Sequence, residues 1–145
     1  MRNWYEVTVK YAKENEEGLL KNVREKYLLD AVSFTEAESL IYDKLGSVIR
    51  GDFTVANISK SNIGEVVIWE DTDCFYKCKV TYFVVDADSG REKKVTQYAL
   101  ISASDVIAAH ERMVENLNNM LASYRIPEVS ESPIVEVFPY ENEEE

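Results

Sequence analysis

Six basic side chains fall at spacings that gather positive charge onto one surface of an otherwise acidic chain. Lys10, Arg24, Lys26, Lys77, Lys79 and Lys93 sit in segments that read as β-strands, where residues two apart share a face. Trp4 and Phe75 fall on the same side of their strands, and Glu6 is the acid among them. An open sheet bearing aromatic rings among cations stacks bases and neutralises phosphates. The expected ligand-binding set is therefore Trp4, Lys10, Arg24, Lys26, Phe75, Lys77, Lys79 and Lys93, and the expected ligand is a nucleotide or single-stranded nucleic acid. The competing reading is that an antiparallel sheet with one buried face must be polar on the other, and that edge lysines deter aggregation.

A second polar set recurs at a fixed distance along the chain. Ser59, Ser61 and Glu65 reappear 71 residues later as Ser130, Ser132 and Glu136. Read functionally, these form two equivalent clusters able to grip a symmetric ligand. Read structurally, the serine hydroxyls cap backbone groups at a bend and the glutamates face solvent.

Other chemistry finds little footing. There is no glycine-flanked nucleophile and no glycine-rich phosphate loop, the five glycines being scattered singly. His110 is the one histidine and falls on a predicted helix. Cys74 and Cys78 are four residues apart; in an extended strand that is about 13 Å, too far for a disulfide. One histidine and two cysteines do not make a metal-ligand set. No catalytic residue, metal or cofactor is expected.

The elements that position these residues alternate cleanly. Tyr5, Val7, Val9 and Tyr11 point one way, and Tyr76, Cys78, Val80 and Tyr82 do the same in the second half. Gly18 and Gly90, each among polar residues, mark hairpin turns, with return strands over about 20–30 and 92–101. Ser33 followed by Glu36 predicts a capped helix, its apolar stripe being Phe34, Ala37, Ile41, Leu45 and Val48. In the second half Ser104 is the expected cap (Ser102 with Asp105 being the other candidate), and the stripe is Val106, Ala109, Met113, Leu117 and Met120. The last strand of each half is interrupted, at Ser59–Asn62 and at Ser130–Pro133. Proline there predicts a bulge, a bend or a sheet edge.

A shift of 71 residues superposes Tyr5 on Tyr76, Val9 on Val80, Tyr11 on Tyr82, Tyr27 on Tyr98, Leu29 on Leu100, Ser33 on Ser104, Ala37 on Ala108, Ile63 on Ile134 and Val66 on Val137. A fixed-period repeat decides architecture before anything else. The fold class expected is α+β: a tandem duplication of a β-β-α-β unit, with an antiparallel-dominated sheet, two helices on one face and pseudo-twofold symmetry. Residues 1–140 are expected to form a single compact domain of two repeats, 4–70 and 75–140, and 141–145 a disordered acidic tail.

Composition bounds the function. The chain has 145 residues, 46% of them hydrophobic, and a net charge of −11. Residues 1–70 carry 9 basic and 12 acidic side chains and residues 71–145 carry 7 and 15, so the negative charge lies mainly in the second half. That balance opposes nonspecific DNA binding without forbidding a local basic patch. No apolar run approaches a membrane span, and the N-terminus lacks a signal pattern. A cytoplasmic protein without membrane partners is expected.

The opening Trp-Tyr-Glu-Val-Thr-Val-Lys-Tyr, the stretch beginning Tyr27-Leu-Leu-Asp-Ala-Val-Ser-Phe and the closing Val129-Ser-Glu-Ser-Pro-Ile-Val-Glu-Val-Phe resemble a family of short proteins containing a domain of unknown function. Its members come from gut Bacteroidetes-type bacteria, their phages and mobile elements. The resemblance covers the chain up to the acidic tail and implies a small cytosolic, phage-type accessory protein, but no site residues. The function expected is non-enzymatic binding of an anionic ligand. The alternative is a protein–protein interaction module, either a homodimer or a modulator of a host protein, since Trp4, Trp69 and Phe75 are of the types enriched at interfaces.

Overall fold

The computed structural model describes residues 2–72, 74–118 and 123–140. Its elements run β1 (Asn3–Glu14), β2 (Leu20–Ala31), α1 (Phe34–Leu45), β3 (Phe53–Lys60), β4 (Ile63–Val67), β5 (Phe75–Val85), β6 (Glu92–Ser102), α2 (Val106–Asn116), β7 (Tyr124–Ser132) and β8 (Ile134–Phe138). The fold is α+β, with two mostly antiparallel four-stranded sheets, ordered β3-β1-β2-β8 and β4-β6-β5-β7. No helix is long and apolar enough to cross a membrane among the described residues.

The interrupted strands explain why there are two sheets. β3 runs antiparallel to β1, but β4, three residues on, joins β6 in parallel. Likewise β7 pairs antiparallel with β5, while β8 pairs in parallel with β2. The chain therefore divides into one compact unit of Met1–Ser61 with Pro133–Glu145 and another of Asn62–Ser132. These boundaries cut across the sequence repeats, because each half-chain lends its last short strand to the other unit. All four of these strands lie at sheet edges, where Pro127 in β7 removes no ladder donor from a central strand.

In the first unit Tyr5, Val7, Val9, Tyr27 and Leu29 meet Ala37, Ile41 and Leu45 of α1, and Ile49 completes the cluster. Ser33 caps α1 by accepting the Glu36 amide at 3.1 Å. Phe34 and Val48 were expected in this core but are 49% and 69% exposed. Phe34 sits at the first helical position, from which its ring reaches only the edge of Tyr5, at 5.1 Å between centroids. Val48 lies beyond the helix end and Ile49 turns inward instead.

In the second unit Tyr76, Cys78, Val80, Ala99 and Ile101 pack on Ala109 and Met113 of α2. Burial pushes the Cys78 thiol up to about 11, as befits a small apolar core residue; Cys74 is exposed and both thiols are free. The cap of α2 is Asp105, whose carboxylate accepts the Ala108 amide at 2.7 Å, rather than Ser104. Val106 is half-exposed, and both Met120 and the acidic tail lie outside the described residues.

Matching residues by their place in the two sheets gives an offset that is not constant. The offset is 71 along the first strands, since Tyr5 faces Leu29 and Tyr76 faces Ile101, but it becomes 72 along β2 and β6 and through the helices. The turn between β5 and β6 holds one more residue than that between β1 and β2. Leu28 thus matches Leu100, Ala37 matches Ala109, and the Ser33 cap matches Asp105. Tyr27 and Tyr98, superposed by the sequence shift, point to opposite faces of their sheets.

Candidate functional site

The face of the first sheet that points away from α1 carries Trp4, Glu6, Thr8 and Lys10 on β1, opposite Asp30, Leu28, Lys26 and Arg24 on β2. β3 adds Ser59 beside Glu6, Asn57 beside Thr8 and Thr54 beside Lys10, with a bulge that leaves Ala56 out of register. This face has two characters. Leu28, Ile134 and Val137 at one end are buried, whereas Lys10 and Arg24 at the other are exposed. There a cleft of about 470 Å³ is lined by Thr8, Lys10, Arg24, Lys26, Ala56, Asn57 and Pro133.

The charges in this cleft are unevenly compensated. Lys26 reaches Glu6 at 3.1 Å. Lys10 and Arg24 are direct cross-strand partners, and among the described residues neither has an ion pair. Asp52 lines the neighbouring opening without pairing to either. Like charges directly opposite one another in an antiparallel sheet are destabilising. At the same two places the second sheet has Thr81 opposite Thr96, a favourable pair. Cations at these positions are therefore not demanded by the fold.

The other expected residues scatter. Lys77 and Lys79 do lie on the far face of the second sheet, but each has a neighbour there. Lys77 donates to Asn62 Oδ1 at 2.8 Å and sits 4.6 Å from the Tyr98 ring centroid, and Lys79 stands opposite Glu128 of β7. Lys93 is a correction: it pairs with Val84 on the helix side of the sheet, and Lys94, paired with Phe83, takes the far face. The extra turn residue changes the parity that assigned it. Phe75 is a second correction, because at 7% exposure its ring is not open to a base. Trp4 is half-buried and six strand residues from Lys10, about 20 Å.

The repeated serine–glutamate sets are divided between the two units. Ser59 and Ser61 belong to the first unit and Glu65 to the second, while Ser130 and Ser132 belong to the second and Glu136 to the first. The bend between β3 and β4, and that between β7 and β8, are where the chain passes between units. Ser61 donates its amide to the Trp4 carbonyl at 2.9 Å, and Glu65 accepts from Asn116 of α2 at 3.0 Å.

Two arrangements escaped the sequence reading. Glu25, on the helix side of β2, accepts the hydroxyls of Tyr11 and of Tyr27, the latter at 3.2 Å. Burial and this carboxylate push Tyr11 up to about 12 and raise Tyr27 as well. Arg112 of α2 donates to the Ser102 carbonyl at 2.6 Å, pairs with Asp71 and covers the Trp69 ring at 4.3 Å. Only Glu25 had a signal in the sequence: an acid in the inward phase of a strand.

No curated protein matches this sequence. A family model described as Domain of unknown function (DUF4494) matches residues 3–140, nearly the whole chain and all of the strands that build the cleft. The chain with this basic cleft on its first sheet thus belongs to the DUF4494 family.

Proposed function

We propose that the protein is a non-enzymatic binder of phosphate-bearing ligands, a nucleotide or single-stranded nucleic acid, held in the cleft formed by Lys10, Arg24 and Lys26. The observation that carries this reading is the Lys10–Arg24 pair: two uncompensated cations facing each other across a ladder, where the second unit has two threonines. A bound anion relieves their repulsion, so binding and stability rise together. Asn57 and Thr8 add uncharged donors in the same cleft. Among the described residues no aromatic ring lines that cleft, so charge rather than stacking supplies the affinity. The phage- or mobile-element-type cytoplasmic role rests on the family resemblance alone. We also read the two units as products of a tandem duplication, a view supported by their shared strand order.

Fluorescence anisotropy with labelled oligothymidylate, beside thermal shift with ATP and tripolyphosphate, tests the reading. Three cations imply a slope of about −2 for log K against log salt on a single strand. Lys10→Glu with Arg24→Glu should abolish measurable binding, while Lys77→Glu with Lys79→Glu should leave most of it. Equal binding by wild type and the Lys10/Arg24 variant would refute the site.

A further inference from the structure

The distal end of the β5–β6 hairpin is built unlike its counterpart in the first unit. β5 ends on Phe83, Val84 and Val85, which are 52%, 40% and 67% exposed. The residues at the same places on β1 are Ala12, Lys13 and Glu14. The fold tolerates a polar hairpin end, so the apolar one needs another explanation. Three consecutive apolar residues show side chains on both faces of the strand, which solvated strands avoid.

This end is also bare along its edges. β7 pairs with β5 no further than Tyr82, and β4 pairs with β6 only from Tyr98 onward. Among the described residues Phe83–Val85 and Glu92–Lys94 therefore form a two-stranded ribbon with both outer edges unpaired. Such a ribbon is marginal alone in water, and an apolar edge strand is a template for another strand. The ribbon is nonetheless well anchored at its turn. Asp86 donates its amide to the Arg91 carbonyl at 2.9 Å, and Gly90, at φ 70°, donates to the Asp86 carbonyl at 2.8 Å. The Asp86 carboxylate accepts the amides of Asp88 at 2.8 Å and Ser89 at 3.4 Å. A preorganised edge loses little entropy on pairing.

We infer that this edge of β5 pairs antiparallel with the same edge of a second copy of the chain, about a twofold axis at Val84. That register sets Val84 against Val84 and Phe83 against Val85 twice, so every cross-strand pair is apolar and no charge is left facing its like. The β6 edge is a poorer candidate, because a twofold axis at Lys93, the middle of Glu92–Lys94, sets that lysine against its own copy. Self-pairing of one patch about a twofold axis is the closed, isologous arrangement. The occupant is thereby fixed by complementarity: the strand that best fits Phe-Val-Val in this register is itself. This contact is independent of the Lys10–Arg24 cleft, which lies in the other unit.

The test uses the full chain. Sedimentation velocity over a concentration series should show a dimer that dissociates on dilution. Val84→Lys with Val85→Glu copies the residues of the first unit's hairpin, so circular dichroism should remain native while the protein becomes a monomer. A second variant avoids reliance on disruption. In a Cys74→Ser background, Val84→Cys places two thiols opposite each other across the axis, within about 5.5 Å between Cα atoms. Mild oxidation should give a disulfide-linked dimer, whereas Ser89→Cys at the turn should not. A monomeric wild type at every concentration, a dimer that survives the Lys/Glu substitution, or equal cross-linking at 84 and 89 would each overturn the proposal.

Discussion

Glu25 shows how a single side chain can tie a strand's inward face to its ionisation. It lies opposite Val9 in the ladder, yet the tyrosines that flank it on β1 and β2 carry hydroxyls long enough to reach it. Burial, then the hydrogen bond to Glu25 and its charge, push Tyr11 up to about 12 from 10.0. Tyr27 shifts the same way, chiefly by burial and the Glu25 charge. Because the folded state holds these protons more tightly, their contribution to stability is complete below pH 10.0 and is lost as pH climbs through about 12. Alkaline unfolding followed by tyrosinate absorbance should place the loss in that window. Glu25→Gln should move Tyr11 only part of the way back, since burial is the larger cause and remains. An unchanged titration in that variant would show that the carboxylate does not hold the hydroxyl.

At the scale of elements, the α2 cap gives a sharp comparison. Asp105 accepts the Ala108 amide, and its charge also suits a helix N-terminus. Asp105→Ala should cost about 1 kcal/mol, whereas Ser104→Ala should stay within about 0.5 kcal/mol; urea denaturation of the two variants distinguishes them. The same element shows what could be read from sequence. The alternation of Tyr5, Val7, Val9 and Tyr11 and the spacing of Ala37, Ile41 and Leu45 foretold strand and helix, because burial on one face leaves a period. In the second half cap, parity and partner did not follow, because one additional residue in the second hairpin turn shifts everything after it without breaking any period. Lys93 and Lys94 exchange faces by that single step, and Ser104 loses the cap to Asp105. The cleft was legible in part: Lys10, Arg24 and Lys26 follow from strand alternation, but Asn57 enters it through a pairing between β1 and β3 that no local pattern encodes.

At the scale of the whole molecule, the short parallel strands decide how the parts depend on one another. β8 lies against Lys26–Leu29 of β2 and stacks Phe138 on Tyr27 at 5.7 Å. A chain ending at Ser132 lacks that strand but keeps every strand of the second sheet. Hydrogen exchange should therefore show the amides of Lys26–Leu29 losing protection while those paired between β5 and β6 keep theirs. Uniform loss in both sheets would mean that the units cannot hold separately. That the first unit is closed by a strand encoded last also has a meaning in time. While the chain is being synthesised, β1, β2, α1 and β3 are complete long before β8 exists, because all of the second unit lies between. At a synthesis rate of about 5–20 residues per second, those intervening roughly seventy residues impose a wait of about 4–14 s. Throughout that wait the nascent first sheet presents the β2 edge to whatever else is nearby, and its own final strand must arrive as the competitor that wins.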